Sequence, residues 1–171
     1  GKPLIGSHQL VKRGGRDRKR AAGSGKTDLL KALETSGNQV IDLEGLAHHK
    51  GSSFGAIGEL PQPSTEQYEN MIFEKMLTFD IAKPVWLENE SRTIGKVFIP
   101  QKMFADMEKC LLIRLQVPLE TRVKRLVRDY TLCNKEDLLN AVERITKRLG
   151  GVAAKRAKEA IEVGDFALAA E

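Results

Sequence analysis

Apolar residues along the chain switch between a helical and a strand-like period, and the switches predict an alternating order of elements. Leu29, Leu30 and Leu33 share one side of a helix over residues 27–36, and Gly37 stops it. Residues 39–43 form a short β-rich run. Tyr68, Ile72, Met76 and Phe79 carry the helical period through residues 65–79. Residues 84–87 read as a second strand and residues 100–107 as a short helix. Residues 110–117, apolar apart from Arg114 and Gln116, predict a buried strand. Pro118 opens a helix that runs to residue 130, since proline fits a first turn. Two amphipathic helices follow, over residues 136–149 and 152–163, split by Gly150 and Gly151. This alternation predicts an α/β fold, a parallel sheet between helices with a helical C-terminal end.

Between the first strand and the helix at residue 65 lies a glycine-heavy loop, residues 44–63. A connection of that length in a compact domain is usually functional or disordered. The chain has 171 residues at 19.0 kDa, which suits one domain with its own core. We divide it into a basic N-terminal segment (1–21), an α/β domain (22–133) and a helical extension of that domain (134–171). No apolar run approaches the ~20 residues needed to span a bilayer. The two cysteines, Cys110 and Cys133, lack the spacing of a zinc knuckle or a disulfide scaffold, which favours a reducing cytoplasm.

Charge sharpens the picture. Residues 1–27 carry eight Lys/Arg against one acid, and residues 120–158 carry eleven against five. The centre is mildly acidic. Two basic blocks read either as an electropositive face for a polyanion such as RNA or as solvated helix faces.

The sharpest local motif is Gly23-Ser24-Gly25-Lys26-Thr27, opening a helix. Glycines let backbone N–H groups converge on phosphate oxygens, Lys26 adds a point charge, and Thr27 is placed to ligate Mg²⁺. The motif lacks its first glycine, whose position is Arg20, and the buried strand that should precede it. Either residues 4–11 supply that strand ahead of an insertion, or the letters before Ala22 do not carry it. The motif implies a P-loop NTPase-like, three-layer α/β/α fold.

Asp42 and Glu44 end the first strand, where open parallel sheets bind ligands, or else they cap the next turn. The glycine loop offers His49, Lys50, Ser52, Ser53 and Phe54 for an anion or a base. After the strand at residues 84–87 come Glu88, Glu90, Ser91 and Arg92. An acid there holds Mg²⁺ in phosphate-loop proteins, which makes Thr27 and Glu88 the candidate metal pair. Arg92 suits bidentate phosphate binding, with a structural ion pair as the alternative. Arg122 and Arg125 lie on a basic helix stripe, as lid or nucleic-acid arginines or as solvated ones.

Several motifs together resemble one family. VIDLEGLAHHKGSSFG, QPSTEQYEN, WLENESRTIG, PLETRVKRLVRDY, and the later RLGG and GDF are similar to the phosphate-loop half of bacterial tRNA 2-selenouridine synthase, over about residues 22–166. Lys50 departs from an expected arginine and loses the planar fork. The resemblance implies a transferase acting on wobble 2-thiouridine in tRNA. The thio group is geranylated with geranyl diphosphate, and selenophosphate then replaces the S-geranyl group with selenium. It also implies a rhodanese-like domain, in cis or in trans, which is not legible in this chain.

On that reading, residues 23–27 cradle the diphosphate. Lys26, Glu88 and Arg92 are the catalytic set, with or without Mg²⁺. Asp42, Glu44, residues 49–54, Glu90, Ser91, Arg122 and Arg125 serve the tRNA substrate. Two other classes compete: a small-molecule kinase using ATP, and a tRNA-binding module with a degenerate phosphate loop.

Overall fold

The structure, a computed structural model, describes residues 22–170. The basic segment 1–21, the candidate strand at residues 4–11 and Arg20 lie outside the described residues. Helix α1 (Lys26–Thr35) leads to strand β1 (Gln39–Ile41) and the one-turn helix α2 (Leu43–Leu46). Helix α3 (Thr65–Leu77) follows the glycine loop and precedes β2 (Val85–Leu87). A small hairpin, β3 (Thr93–Ile94) and β4 (Val97–Phe98), precedes α4 (Gln101–Met107). The chain ends in α5 (Leu119–Tyr130), α6 (Lys135–Leu149), α7 (Gly151–Val163) and α8 (Phe166–Ala170).

β1 and β2 pair in parallel, with Val40 opposite Trp86 and Ile41 opposite Leu87. Their C-terminal ends therefore deliver Asp42 and Glu88 side by side. The antiparallel hairpin turns on Gly95 at φ 58°, the positive φ that the first position of a tight hairpin turn requires.

Three helices start on a side-chain cap. The Asp42 side chain accepts from Gly45 N–H and so caps α2. Ser64 accepts from Gln67 N–H at the start of α3, and Asn134 accepts from Glu136 N–H at the start of α6. Gly164, in the left-handed region, ends α7.

Two apolar cores result. Ile41, Leu43, Tyr68, Ile72, Ile94 and Ile99 form the first, under the parallel pair and the hairpin. Ile57 of the glycine loop joins Leu138, Ala141, Val142, Ala154 and Ile161 of α6 and α7 in the second. The loop is thus held near its start by Ala47 in the first core and farther along by Ile57 in the second.

The parallel pairing and the helix order follow the sequence pattern, with three differences. Residues 110–117 form no strand: among the described residues no strand lies beside them, and Leu111, Leu112 and Ile113 are about half exposed. An extended run needs a partner for its backbone groups to become a strand. Second, the loop at 44–63 contains α2, because the Asp42 cap turns the chain immediately after β1. Third, the hairpin and α8 are too short for a periodic signal. No described helix is long and apolar enough to cross a membrane.

Candidate functional site

Gly23 (φ 71°) and Gly25 (φ 78°) hold the loop ahead of α1 in left-handed turns. A Cβ on Gly25 would stand 2.7 Å from the Arg125 guanidinium, and one on Gly23 would stand 2.6 Å from the Arg122 carbonyl oxygen. Positive φ demands both glycines, and at Gly23 the backbone of α5 leaves no room for a Cβ as well. Arg122 Nε donates to the Ala22 carbonyl (2.9 Å), and Arg125 donates to the Gly23 carbonyl (3.4 Å). Arg125 and Arg128 also pair with Asp28 in the first turn of α1. Helix α5 thus steadies the loop from above. No side chain caps the α1 N-terminus, so its first N–H groups and the positive end of the helix face the loop.

Lys26 reaches from this helix to two carboxyl groups. Its Nζ lies 3.3 Å from Glu90 Oε1 and 3.9 Å from Glu44 Oε1. Glu90 follows β2, and Glu44 sits in the first turn of α2. Both are buried, and their carboxyl groups adjoin. Burial pushes the Glu44 carboxyl up to about 7, with Glu90 and Asp42 adding to the rise and Lys26 opposing it. Gly51 closes over the pair: a Cβ there would collide with Glu44 Oε1 and lie 3.0 Å from Glu90 Oε2.

Glu88 is used differently. It is 3% exposed, and its Oε2 accepts from Leu43 N–H at 3.0 Å. Its Oε1 is buried without a partner while both acids are ionised, and protonation lets it donate to Asp42. Burial, then Asp42, pushes Glu88 up to about 8. Tyr68 OH donates to the Leu43 carbonyl (3.2 Å) on the same turn. Glu88 therefore braces the β1–α2 turn and does not touch Lys26. The Arg92 side chain is exposed and has no hydrogen-bond or ion-pair partner among the described residues.

The glycine loop folds onto this centre. His49 Nδ1 accepts from Gly51 N–H (3.1 Å), and burial lowers the pKa of the ring. Lys50 pairs with Glu59 (2.9 Å) and lies over the Tyr130 ring (5.5 Å), while Phe54 meets the same ring edge-on. Ser52 Oγ accepts from Phe54 N–H, and Arg144 donates to the Ser53 carbonyl. These contacts dock the loop on α5 and α6.

Gln62 ties the loop to the hairpin. It donates to the carbonyls of Ala47 and Ile94 and accepts from Lys96 N–H. Gly95 leaves room for it.

The structure thus unites Lys26, Glu44 and Glu90, pairs Glu88 with Asp42, and turns Lys50 and Phe54 toward α5. Ser91 bonds the Thr93 carbonyl beside the exposed Arg92. Gln62, Tyr68 and Tyr130 are the contributors that pattern reading missed. Gln62 and Tyr68 stand in QPSTEQYEN, a motif whose role no periodicity reveals. Among the described residues no three His, Cys, Asp or Glu side chains form a metal-binding group. The commitment of Glu88 to Leu43 and Asp42 does not fit a magnesium carrier.

A family model described as the tRNA 2-selenouridine synthase AAA domain matches residues 20–166. Among similar curated proteins, a tRNA 2-selenouridine synthase from Shewanella piezotolerans is 42% identical over 110 residues, covering 63% of this chain and 29% of the relative. One from Pseudomonas putida is 35% identical over 161 residues, covering 80% of this chain and 41% of the relative. One from Nitrosomonas eutropha is 31% identical over 175 residues, covering 82% and 45%. The chain spans less than half the length of these relatives. No solved structure matches.

Proposed function

The chain belongs to the tRNA 2-selenouridine synthase family, whose AAA domain it carries, and we propose that it performs the alkyl transfer of wobble-uridine modification. The diphosphate of geranyl diphosphate sits on the loop of residues 23–27. The nucleophile is the sulfur of a tRNA 2-thiouridine, so the chemistry needs no protein nucleophile. The observation that carries this reading is the convergence on Lys26 of Glu44 and Glu90, which come from two of the motifs on which the resemblance rests.

Each part has a physical task in this reading. The uncapped start of α1 and Lys26 meet charge that grows on the leaving diphosphate. Arg92, exposed at the same end of the parallel pair, is available to a phosphate of either substrate. The loop at residues 49–54, held by Tyr130 and Arg144, shapes the wall toward the anticodon base. Conversion to selenouridine with selenophosphate, and a rhodanese-like domain in cis or in trans, belong to the same proposal. So does a three-layer α/β/α arrangement grown around the β1–β2 pair.

The test is to follow geranyl diphosphate and ATP separately, each with and without thiolated tRNA. Consumption of geranyl diphosphate that requires thiolated tRNA supports the proposal. Consumption of ATP without tRNA makes the protein a kinase, and binding of tRNA with consumption of neither makes it a binding module.

A further inference from the structure

Alkylating a thiocarbonyl sulfur leaves a proton to be removed, and one group in the structure is set to take it. In the proposed transfer, a bond forms between the thiouridine sulfur and C1 of the geranyl group. The C1–O bond breaks, and its electron pair leaves with the diphosphate. The neutral product has a C2–N3 double bond, so the N3 proton must depart. A phosphate cradle and a lysine handle only the leaving group. We propose that Glu44, held against Glu90 and Lys26, is the general base that accepts the N3 proton as the sulfur is alkylated. This inference rests on the alkyl-transfer reading above.

Three observations carry it. Glu44 lies 3.9 Å from the cation of the phosphate loop, so a base there works within reach of the diphosphate. Its carboxyl is buried beside a second one, which disfavours its ionised form and makes it a stronger base than an exposed glutamate. Finally, Gly51 packs where any side chain would strike the Glu44 carboxyl, so the loop that walls the base pocket runs directly over this oxygen. The charged groups facing Glu44 are Lys26 from α1, Glu90 from the end of β2 and Asp42 from the end of β1. Glu90 is the positioning residue: it bonds Lys26 at 3.3 Å and adds to the proton affinity that burial gives Glu44. Glu88 is excluded from the role because its carboxyl is spent on Leu43 N–H and Asp42.

The experiment uses the full chain, tRNA with wobble 2-thiouridine and geranyl diphosphate, in single turnovers across neutral and alkaline pH. Glu44→Gln is expected to lower the transfer rate about 10²-fold or more near neutrality, the size of a lost general base. The deficit is expected to shrink about tenfold per pH unit, because the ionised fraction of the thiouridine N3–H grows at that pace and needs no base. Inorganic pyrophosphate should bind the variant no more weakly than the wild type, which shows an intact site. Glu44→Asp, which keeps the carboxylate, should restore part of the rate. A deficit independent of pH, or an unchanged rate, overturns the base assignment while the alkyl-transfer reading stands. Absence of transfer by the wild type overturns that reading and the base with it.

Discussion

Lys26 Nζ rests 3.3 Å from Glu90 Oε1, so the cation of the phosphate loop leans on a carboxyl group supplied 64 residues later in the chain. The contact joins the start of α1 to the end of β2 and places one positive charge among buried acids. An arriving diphosphate must compete with those acids for the lysine. The site is therefore tuned by the balance of Lys26 against Glu44 and Glu90, and its parts respond to mutation in distinguishable ways.

Lys26→Ala should weaken geranyl diphosphate binding about ten- to a hundredfold, since a charge-assisted hydrogen bond is worth roughly 1.5–3 kcal/mol. It should also raise the proton affinity of Glu44, whose one opposing charge it removes. Calorimetric titration of both proteins in buffers of different ionisation heat measures the two effects together.

Glu88→Gln should stabilise the protein at alkaline pH. The folded Glu88 holds its proton up to about 8 against an ordinary carboxyl value of 4.5. The folded state therefore binds more protons in that window, and stability is lost as pH rises through it. A glutamine amide donates to Asp42 and accepts from Leu43 N–H without titrating. The variant should melt about 2–12 °C higher than the wild type near pH 8, for about 1–3 kcal/mol, and converge with it in acid. Thermal melts across that range check the sign.

Binding of tRNA should weaken linearly in log affinity against log salt, as released counterions require. Arg92→Ala should reduce that slope by about one if its guanidinium neutralises a single phosphate. Arg125→Ala, by contrast, frees the Gly23 carbonyl and loosens the phosphate loop, so its main effect should fall on pyrophosphate affinity. Filter binding at several salt concentrations, beside pyrophosphate titration, separates the two arginines.

Gln62→Ala should cost about 1–3 kcal/mol, or about 2–12 °C in melting temperature, because it leaves the Ala47 and Ile94 carbonyls and the Lys96 N–H without their partner. Gln62→Glu should not rescue it, since a carboxylate cannot donate to two carbonyls. Melting curves of both variants decide this.

Much of the frame was legible in the letters. Leu29, Leu30 and Leu33 announce α1, Tyr68, Ile72 and Met76 announce α3, and GSGKT locates the phosphate loop at the start of α1. Residues near in sequence carry their own signal of that kind. What the letters hide is which acid faces which partner. Glu88 and Glu90 stand two apart after the same strand, yet one turns to Leu43 and Asp42 and the other to Lys26. That choice is made by the parallel register of β1 with β2, a long-range fact. Lys50 and Phe54 read as ligand groups, and the letters do not show that both pack against Tyr130, 80 and 76 residues later. Residues 110–117 have the apolar content of a strand, but apolar content does not fix a pairing partner, and among the described residues no strand lies beside them.

That run, about half exposed at Leu111, Leu112 and Ile113 and without a neighbouring strand among the described residues, bears on how the protein behaves at high concentration. Leu111, Leu112, Ile113, Leu115 and Val117 make an apolar run with a single charge and two β-branched residues, features shared with segments that stack with copies of themselves. Arg114 interrupts the run, and Pro118 ends it with a residue that cannot donate to a neighbouring strand. The two residues act as gatekeepers against self-association. An apolar residue in place of Arg114 is therefore expected to raise the tendency of this run to self-associate, read as earlier turbidity at high concentration.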